Sequence, residues 1–209
     1  MVRVRTADLE ASVEAQALLL HEVDHRVKNN LSVIGSLLRM QIRDSDDANV
    51  RKALRSTMER VDAMAAVHRR LYQSDDVRYF EVSSYTANIV QNAISASRYK
   101  DVFLHSDLQT VHLPSDKATS FGLLLNEVLQ HLFNPYTPIK SVSLRCSANN
   151  EKLTISLSNE VRDKTPQNVI SALSLQLISR LCGQLDARVD WDHSLNGSSA
   201  TLTIPVSAP

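Results

Sequence analysis

Between Thr6 and Ile42 the chain runs without a proline, and its apolar residues return at helical spacing. Leu20, Val27, Leu31, Ile34, Leu38 and Ile42 share one stripe at about 100° per residue, with polar side chains opposite. That pattern predicts one long helix. It ends in Arg43-Asp-Ser-Asp-Asp-Ala-Asn49, where Asp46, Asp47 and Asn49 bring turn and cap chemistry. A second helix is predicted to about Tyr72, with Val50, Leu54, Met58, Val61, Met64, Ala65 and Leu71 along its seam. Two long helices joined by so short a loop must lie antiparallel. One hairpin cannot cover its own apolar seam, so the pattern predicts a homodimer whose hairpins form a four-helix bundle.

Past Gln73-Ser-Asp-Asp76 the periodicity changes, which divides the chain into a hairpin over 1–76 and a second domain over 77–209. Helices are predicted over 83–97 and 115–133, the latter stopped by Asn134-Pro135, with a strand over 102–105 between them. Two hairpins follow: 141–148 with 152–159 through Asn149-Asn150, and 187–193 with 199–206 through Asn196-Gly197. Between them a helix is expected, capped by Thr165, with Pro166 in its first position and Gly183 at its end. The predicted class is α+β: the helical hairpin, then a small α/β two-layer sandwich.

Bulk properties narrow the partners. Lys plus Arg and Asp plus Glu number 23 each, so no net charge draws the chain to nucleic acid or a membrane surface. Cys146 and Cys182 are isolated, which argues against a disulfide framework or thiolate zinc and suits a reducing compartment. The N-terminus is charged where a signal peptide needs an apolar run, and nothing approaches the ~18 apolar residues of a membrane span. A cytoplasmic location is expected.

The chemistry concentrates in His21-Glu-Val-Asp-His-Arg-Val-Lys-Asn-Asn-Leu31. Its first five residues have zinc-site spacing, His21 and His25 one turn apart with Glu22 as a possible base. Charged neighbours Asp24 and Arg26, and no motif for a third ligand, count against zinc. On a helical wheel Glu22, Lys28, Asn29, Ser32 and Ser36 fall within about 60° of His25, opposite the apolar stripe. An outward-facing neutral imidazole is a usable nucleophile toward phosphorus near neutral pH. Glu22 is placed to hold its other ring nitrogen, Arg26 and Lys28 to steady phosphate charge, and Asn29 to orient a receiver or a water. Periodicity alone leaves a merely solvated helix face open. His68, on the second seam at about the level of His25, reads better as a core histidine than as part of a phosphate site.

Asp24 to Gln41, DHRVKNNLSVIGSLLRMQ, resembles the phosphoacceptor helix of HisKA_2/HWE-type bacterial histidine kinases, and Glu59 to Asp76 resembles the second helix of their dimerisation domain. The resemblance continues through the rest of the chain. It implies that His25 is the phosphoacceptor, that the bundle is dimeric, and that the second domain descends from the kinase ATP-binding, Bergerat-type fold. In that family an Asn on a helix holds Mg²⁺, an Asp at a strand end followed by a glycine binds adenine, and a G-L-G-L run admits the phosphates. Here Gly122 to Pro135 matches the helix, with Asn126 and Glu127 in place but His131 at the metal-binding Asn. Thr154 to Val161 matches the strand, with Ser158 for the Asp and Glu160 for the glycine. Ser171 to Leu181 matches the glycine run, with Ala172 and Ser174 for its glycines.

These departures imply a degenerate pocket, with no tightly bound cofactor and no resident metal. The expectation is a pseudokinase-like histidine phosphotransferase of a two-component phosphorelay. It would shuttle a phosphoryl group between His25 and the aspartates of response-regulator receiver domains, with Mg²⁺ on the receiver. Alternatives are an ATP-dependent HisKA_2 histidine kinase with an atypical pocket, and a non-catalytic receiver-binding module or phosphatase in which Asn29 orients water.

Overall fold

The structure is a computed structural model that describes residues 2–71, 78–96, 101–133, 138–149, 151–162, 170–194 and 197–206, with backbone alone for 2–21, 24 and 96. It resolves into two compact units, Met1–Val77 and Arg78–Pro209.

The first unit is a pair of helices. α1 spans Val2–Asp44, about 65 Å of helix, and α2 spans Ala48–Leu71. The link between them is closed by local bonds. The Asp47 carboxylate accepts the Asn49 N–H at 2.7 Å, and the Arg51 guanidinium donates to the carbonyls of Ser45 and Asp46 at 2.8 and 3.0 Å. The seam of α1 is half covered: Val27, Leu31, Leu38 and Ile42 are partly buried, and Ile34 is exposed. On α2 the fully buried positions are Ala63 and Val67, neither singled out by the periodicity, while Val50 is exposed. Val23, Val33, Leu37 and Met40 form a further exposed apolar set on α1, with Val33 and Leu37 more than half exposed at 59% and 51%. Helix-on-helix contact uses one stripe of each partner, so a single hairpin leaves the others uncovered.

The second unit is a layer of helices on a sheet. β1 (Tyr79–Glu81) pairs antiparallel with β3 (His112–Pro114) as a short ribbon. The main sheet contains β2 (Phe103–Leu108), β4 (Ile139–Ala148), β5 (Lys152–Val161), β6 (Arg188–Ser194) and β7 (Gly197–Pro205), in the order β2-β4-β5-β7-β6. Only β2 and β4 among these pairs run parallel. The helices are α3 (Val82–Ala96), α4 (Ala118–Leu132) and α5 (Ala172–Leu185).

Strand alternation sets the layers. Val142, Leu144 and Cys146 of β4, Leu153, Ile155 and Leu157 of β5, and Ala200, Leu202 and Ile204 of β7 are buried together. Phe121, Leu124, Leu125 and Val128 of α4 and Ile178, Leu181 and Leu185 of α5 are buried with them. The alternate residues form the other face, including Ser143, Arg145, Ser156, Ser158, Ser199 and Thr201. No helix among the described residues is long and apolar enough to cross a membrane.

Two expected boundaries differ. Thr165 and Pro166 lie outside the described residues. α5 begins at Ala172, and the Ser171 hydroxyl accepts the Ser174 N–H at 3.1 Å as its cap. Gly183 does not end the helix. α5 continues to Leu185 and stops at Asp186, whose φ of 52° reverses the backbone. An aspartate tolerates this left-handed conformation better than most side chains. Of the two hairpin turns, Asn150 and Asn196 lie outside the described residues. Asn149 accepts the N–H groups of Glu151 and Lys152 at 3.1 and 2.8 Å, closing its turn with its own side chain.

Candidate functional site

His25 stands exposed on the polar side of α1, as the wheel predicts. Its Nδ1 lies 3.1 Å from the Asn29 side-chain amide nitrogen, one turn along. Glu22 was expected at the ring's other nitrogen; instead it closes on Arg26, with Oε1 2.6 Å from the guanidinium Nε. The reason is reach: a guanidinium four residues on meets a carboxylate with a charge-assisted bond, which a neutral imidazole cannot match. Lys28 is half-buried, Ser32 and Ser36 are exposed, and the Ser36 hydroxyl donates to the Ser32 carbonyl at 2.9 Å. His68 is half-buried on α2. His21, the other histidine of the zinc-like spacing, falls where backbone alone is described.

The His25–Asn29 contact has a chemical consequence. An amide nitrogen donating to Nδ1 leaves the proton on Nε2. The same amide turned about its axis accepts Nδ1–H and frees the Nε2 lone pair outward. The orientation of the Asn29 amide is thereby coupled to which ring nitrogen carries the proton.

In the second unit the inward and outward residues of β5 can be read directly. Leu153, Ile155 and Leu157 face the helices, so Ser158 and Glu160 face away. Ser158 lines a hollow of about 280 Å³ with His105, Asp107, Ser143, Arg145 and Ser156. Glu160 is exposed and held by Lys140 at 2.9 Å and Ser141 at 3.1 Å, whose hydrogen bonds draw its carboxyl below the usual range. The matching of the adenine strand thus slips by one residue: the inward side chain at this end of β5 is Asn159. Strict alternation from Leu153 was the signal that could have found it.

Both ends of the Asn159 amide are engaged. Nδ2 donates to the Leu132 carbonyl at 2.5 Å, and Oδ1 accepts the Ser198 N–H at 2.8 Å. This ties the end of α4 to β5 and β7. His131, buried near the same end of α4, meets Trp191 edge-on with centroids 4.8 Å apart, and burial followed by neighbouring His193 lowers its pKa. Ala172 and Ser174 lie in the first turn of α5, Ser174 under the Ser171 cap. Asn126 is half-buried and Glu127 fully buried on α4.

Residues 22–97 match the HisKA_2 histidine kinase family. The sensor histidine kinase PdtaS of Mycobacterium tuberculosis is 30% identical over 199 residues, covering 90% of this chain and 39% of that protein. Blue-light-activated histidine kinase 2 of Erythrobacter litoralis is 26% identical over 205 residues, 90% of this chain and 57% of its own length. The chain thus spans about two fifths to three fifths of these relatives. Among solved structures, the histidine kinase domain of the Erythrobacter litoralis EL346 blue-light activated kinase superposes with a TM-score of 0.60 at 22% identity, covering 90% of this chain and 91% of that one. That likeness extends the shared fold across both units.

Proposed function

We propose that the chain, whose residues 22–97 match the HisKA_2 histidine kinase model, is a dimeric histidine phosphotransferase with His25 as the phosphoacceptor. The observation that carries the reading is the His25 imidazole, exposed on a polar helix face with Asn29 on Nδ1. A phospho-aspartate on a receiver domain is the donor. With the Asn29 amide turned so that its oxygen accepts Nδ1–H, the Nε2 lone pair attacks phosphorus in line, the P–O bond to the aspartate breaks, and the carboxylate leaves as Nε2–P forms. The ring proton is lost to water, and the reverse reaction loads a second receiver. Catalysis by this chain is positioning: a nucleophile set by Asn29, with Arg26 and Lys28 beside the phosphoryl oxygens. Mg²⁺ belongs to the receiver. The exposed Val23, Val33, Leu37 and Met40 support pairing of two hairpins into a four-helix bundle.

The family fold implies a Mg²⁺–ATP pocket, and the residues present do not fit one. His131 offers nitrogen where Mg²⁺ takes oxygen. With the register corrected, Asn159 replaces the adenine-binding carboxylate and spends both amide ends on backbone, and Val161 replaces the following glycine. Ala172 and Ser174 carry side chains where backbone must approach phosphates. We therefore place the second unit, 78–209, as a docking and structural element.

The second reading, an ATP-dependent kinase, rests on the 30% identity to a sensor histidine kinase across 90% of the chain. One experiment separates them. The purified chain and its His25→Ala variant are incubated with labelled ATP and Mg²⁺, then with a labelled phospho-receiver. Label from the receiver alone, absent in the variant, is expected; label from ATP overturns the phosphotransfer reading in favour of a kinase. Loss of receiver phosphate that persists in His25→Ala would instead mark a phosphatase, with Asn29 orienting the water.

A further inference from the structure

Among the described residues the main sheet ends in two unlike edges, β2 and β6. Edge β6 discourages pairing: a second copy laid antiparallel about its middle residue, Trp191, would set Asp190 against Asp192. Edge β2, Phe103-Leu-His-Ser-Asp-Leu108, carries neither lysine nor proline. It follows β4 from Phe103 to Leu108 without a bulge. All its residues but Leu104 are exposed, Phe103 at 66%.

The ladder fixes which backbone groups face out. The Gln109 N–H, just past the strand, donates to the Cys146 carbonyl of β4 at 2.9 Å. Successive residues of a strand turn their N–H and C=O to opposite sides. His105 and Asp107 therefore bond toward β4, while Leu104, Ser106 and Leu108 address the open edge. Among the described residues no strand pairs with them. Such a row is a template for another strand.

A second copy fits that template. Laid antiparallel about a two-fold axis through Ser106, the strands oppose Leu104 to Leu108, Ser106 to itself and Leu108 to Leu104, exchanging about six backbone hydrogen bonds. Between these pairs His105 of each copy stands opposite Asp107 of the other, on the face of the sheet away from the helices. Asp107 gives one oxygen to Arg145 at 3.1 Å, which leaves the other to accept the imidazole N–H. The leucines meet on the helix-facing side, where Leu108 is 39% exposed in the single chain. Moving the axis to His105 loses a hydrogen-bonded pair and sets His105 against itself and Phe103 against Asp107.

We infer that β2 is a self-pairing edge, joining two copies of this chain by an antiparallel β2–β2 contact centred on Ser106. The inference rests on neither the phosphotransfer reading nor the pairing of helical hairpins. A lone strand pair buries little surface, below about 1,200 Å² in total, so the contact is transient. It joins copies held at high local concentration and leaves the mass of the dilute chain to the helices.

Disulfide trapping in the full chain tests it. Ser106→Cys, in a Cys182→Ser background that leaves only the buried Cys146, sets two thiols across the two-fold axis. Cα atoms of such a pair lie about 5.5 Å apart, within reach of a disulfide. Asp192→Cys in the same background is the control on edge β6. Under oxidised glutathione, Ser106→Cys is expected to form covalent dimer about tenfold or more faster than the control. Adding His105→Asp should slow that linking about tenfold, because the axis repeats the clash of acid against acid. Linking no faster than the control, or a rate indifferent to His105→Asp, would overturn self-pairing and leave the edge to an extended segment of another protein.

Discussion

Gly197→Ala should be among the most damaging single-methyl changes in the second unit. Gly197 pairs with Glu160 across the β5–β7 ladder, and a β-carbon there would lie 1.9 Å from the Asn159 carbonyl oxygen and 3.0 Å from its carbon. That oxygen belongs to a strand backbone and cannot swing aside as a flexible side chain would. Forced overpacking of this kind costs about 1–3 kcal/mol. Displacing β7 from β5 would also strain the two Asn159 bonds, to Leu132 and from Ser198, each worth about 1 kcal/mol. The sum is about 3–5 kcal/mol, or roughly 10–20 °C in Tm for a unit of this size. Trp191, opposite Ala200 of β7, supplies the fluorescence signal for the melt. Gly183→Ala is the control of opposite sign. It lies inside α5 with nothing within 4 Å of an added β-carbon, so alanine should stabilise by about 0.5–1 kcal/mol. A Gly197→Ala protein melting within about 2 °C of its parent would refute the steric argument.

Three other outcomes are expected. Leu37→Asp, at a position half exposed in the single chain, should yield a monomer by light scattering, because pairing would bury an uncompensated charge; a dimer of unchanged affinity would remove this stripe from the interface. Asn29→Ala should slow phosphoryl transfer from a phospho-receiver about tenfold or more and alter its pH profile, since His25 loses its tautomer partner; an unchanged rate and profile would dismiss the contact. Burial raises the thiol pKa of both cysteines, and Cys146 is 1% exposed while Cys182 is half-buried, so a thiol reagent at neutral pH should modify Cys182 first; equal native rates would contradict the packing.

The helical hairpin was legible because a period repeated over dozens of residues is a strong local signal, interrupted here by aspartates that make a turn. The long strands β4, β5 and β7 were legible for the same reason at period two. The β1–β3 ribbon escaped because three-residue strands carry no period, and the parallel pairing of β2 with β4 depends on contacts across a whole intervening helix. The end of α5 was misplaced because glycine is the commoner left-handed residue, yet Asp186 takes that role. At the sites, the exposure of His25 followed from the wheel, but the competition between Arg26 and His25 for Glu22 did not. Ser158 was matched by letters where alternation selects Asn159. The company of His131, Trp191 and His193 joins separate elements and has no local signature.

The strand order also sets a schedule. β7 is the last of the described strands yet lies between β5 and β6. Until Gly197–Pro205 has emerged from the ribosome, β5 has one bare edge and β6 has no strand beside it. The α1–α2 hairpin needs only contacts close in sequence, which form fast. At ordinary synthesis rates it waits roughly ten seconds or longer for the sheet to close. During that interval the nascent chain presents a finished helical pair followed by an unfinished sheet with exposed apolar strands, the stage at which chaperone capture and aggregation compete.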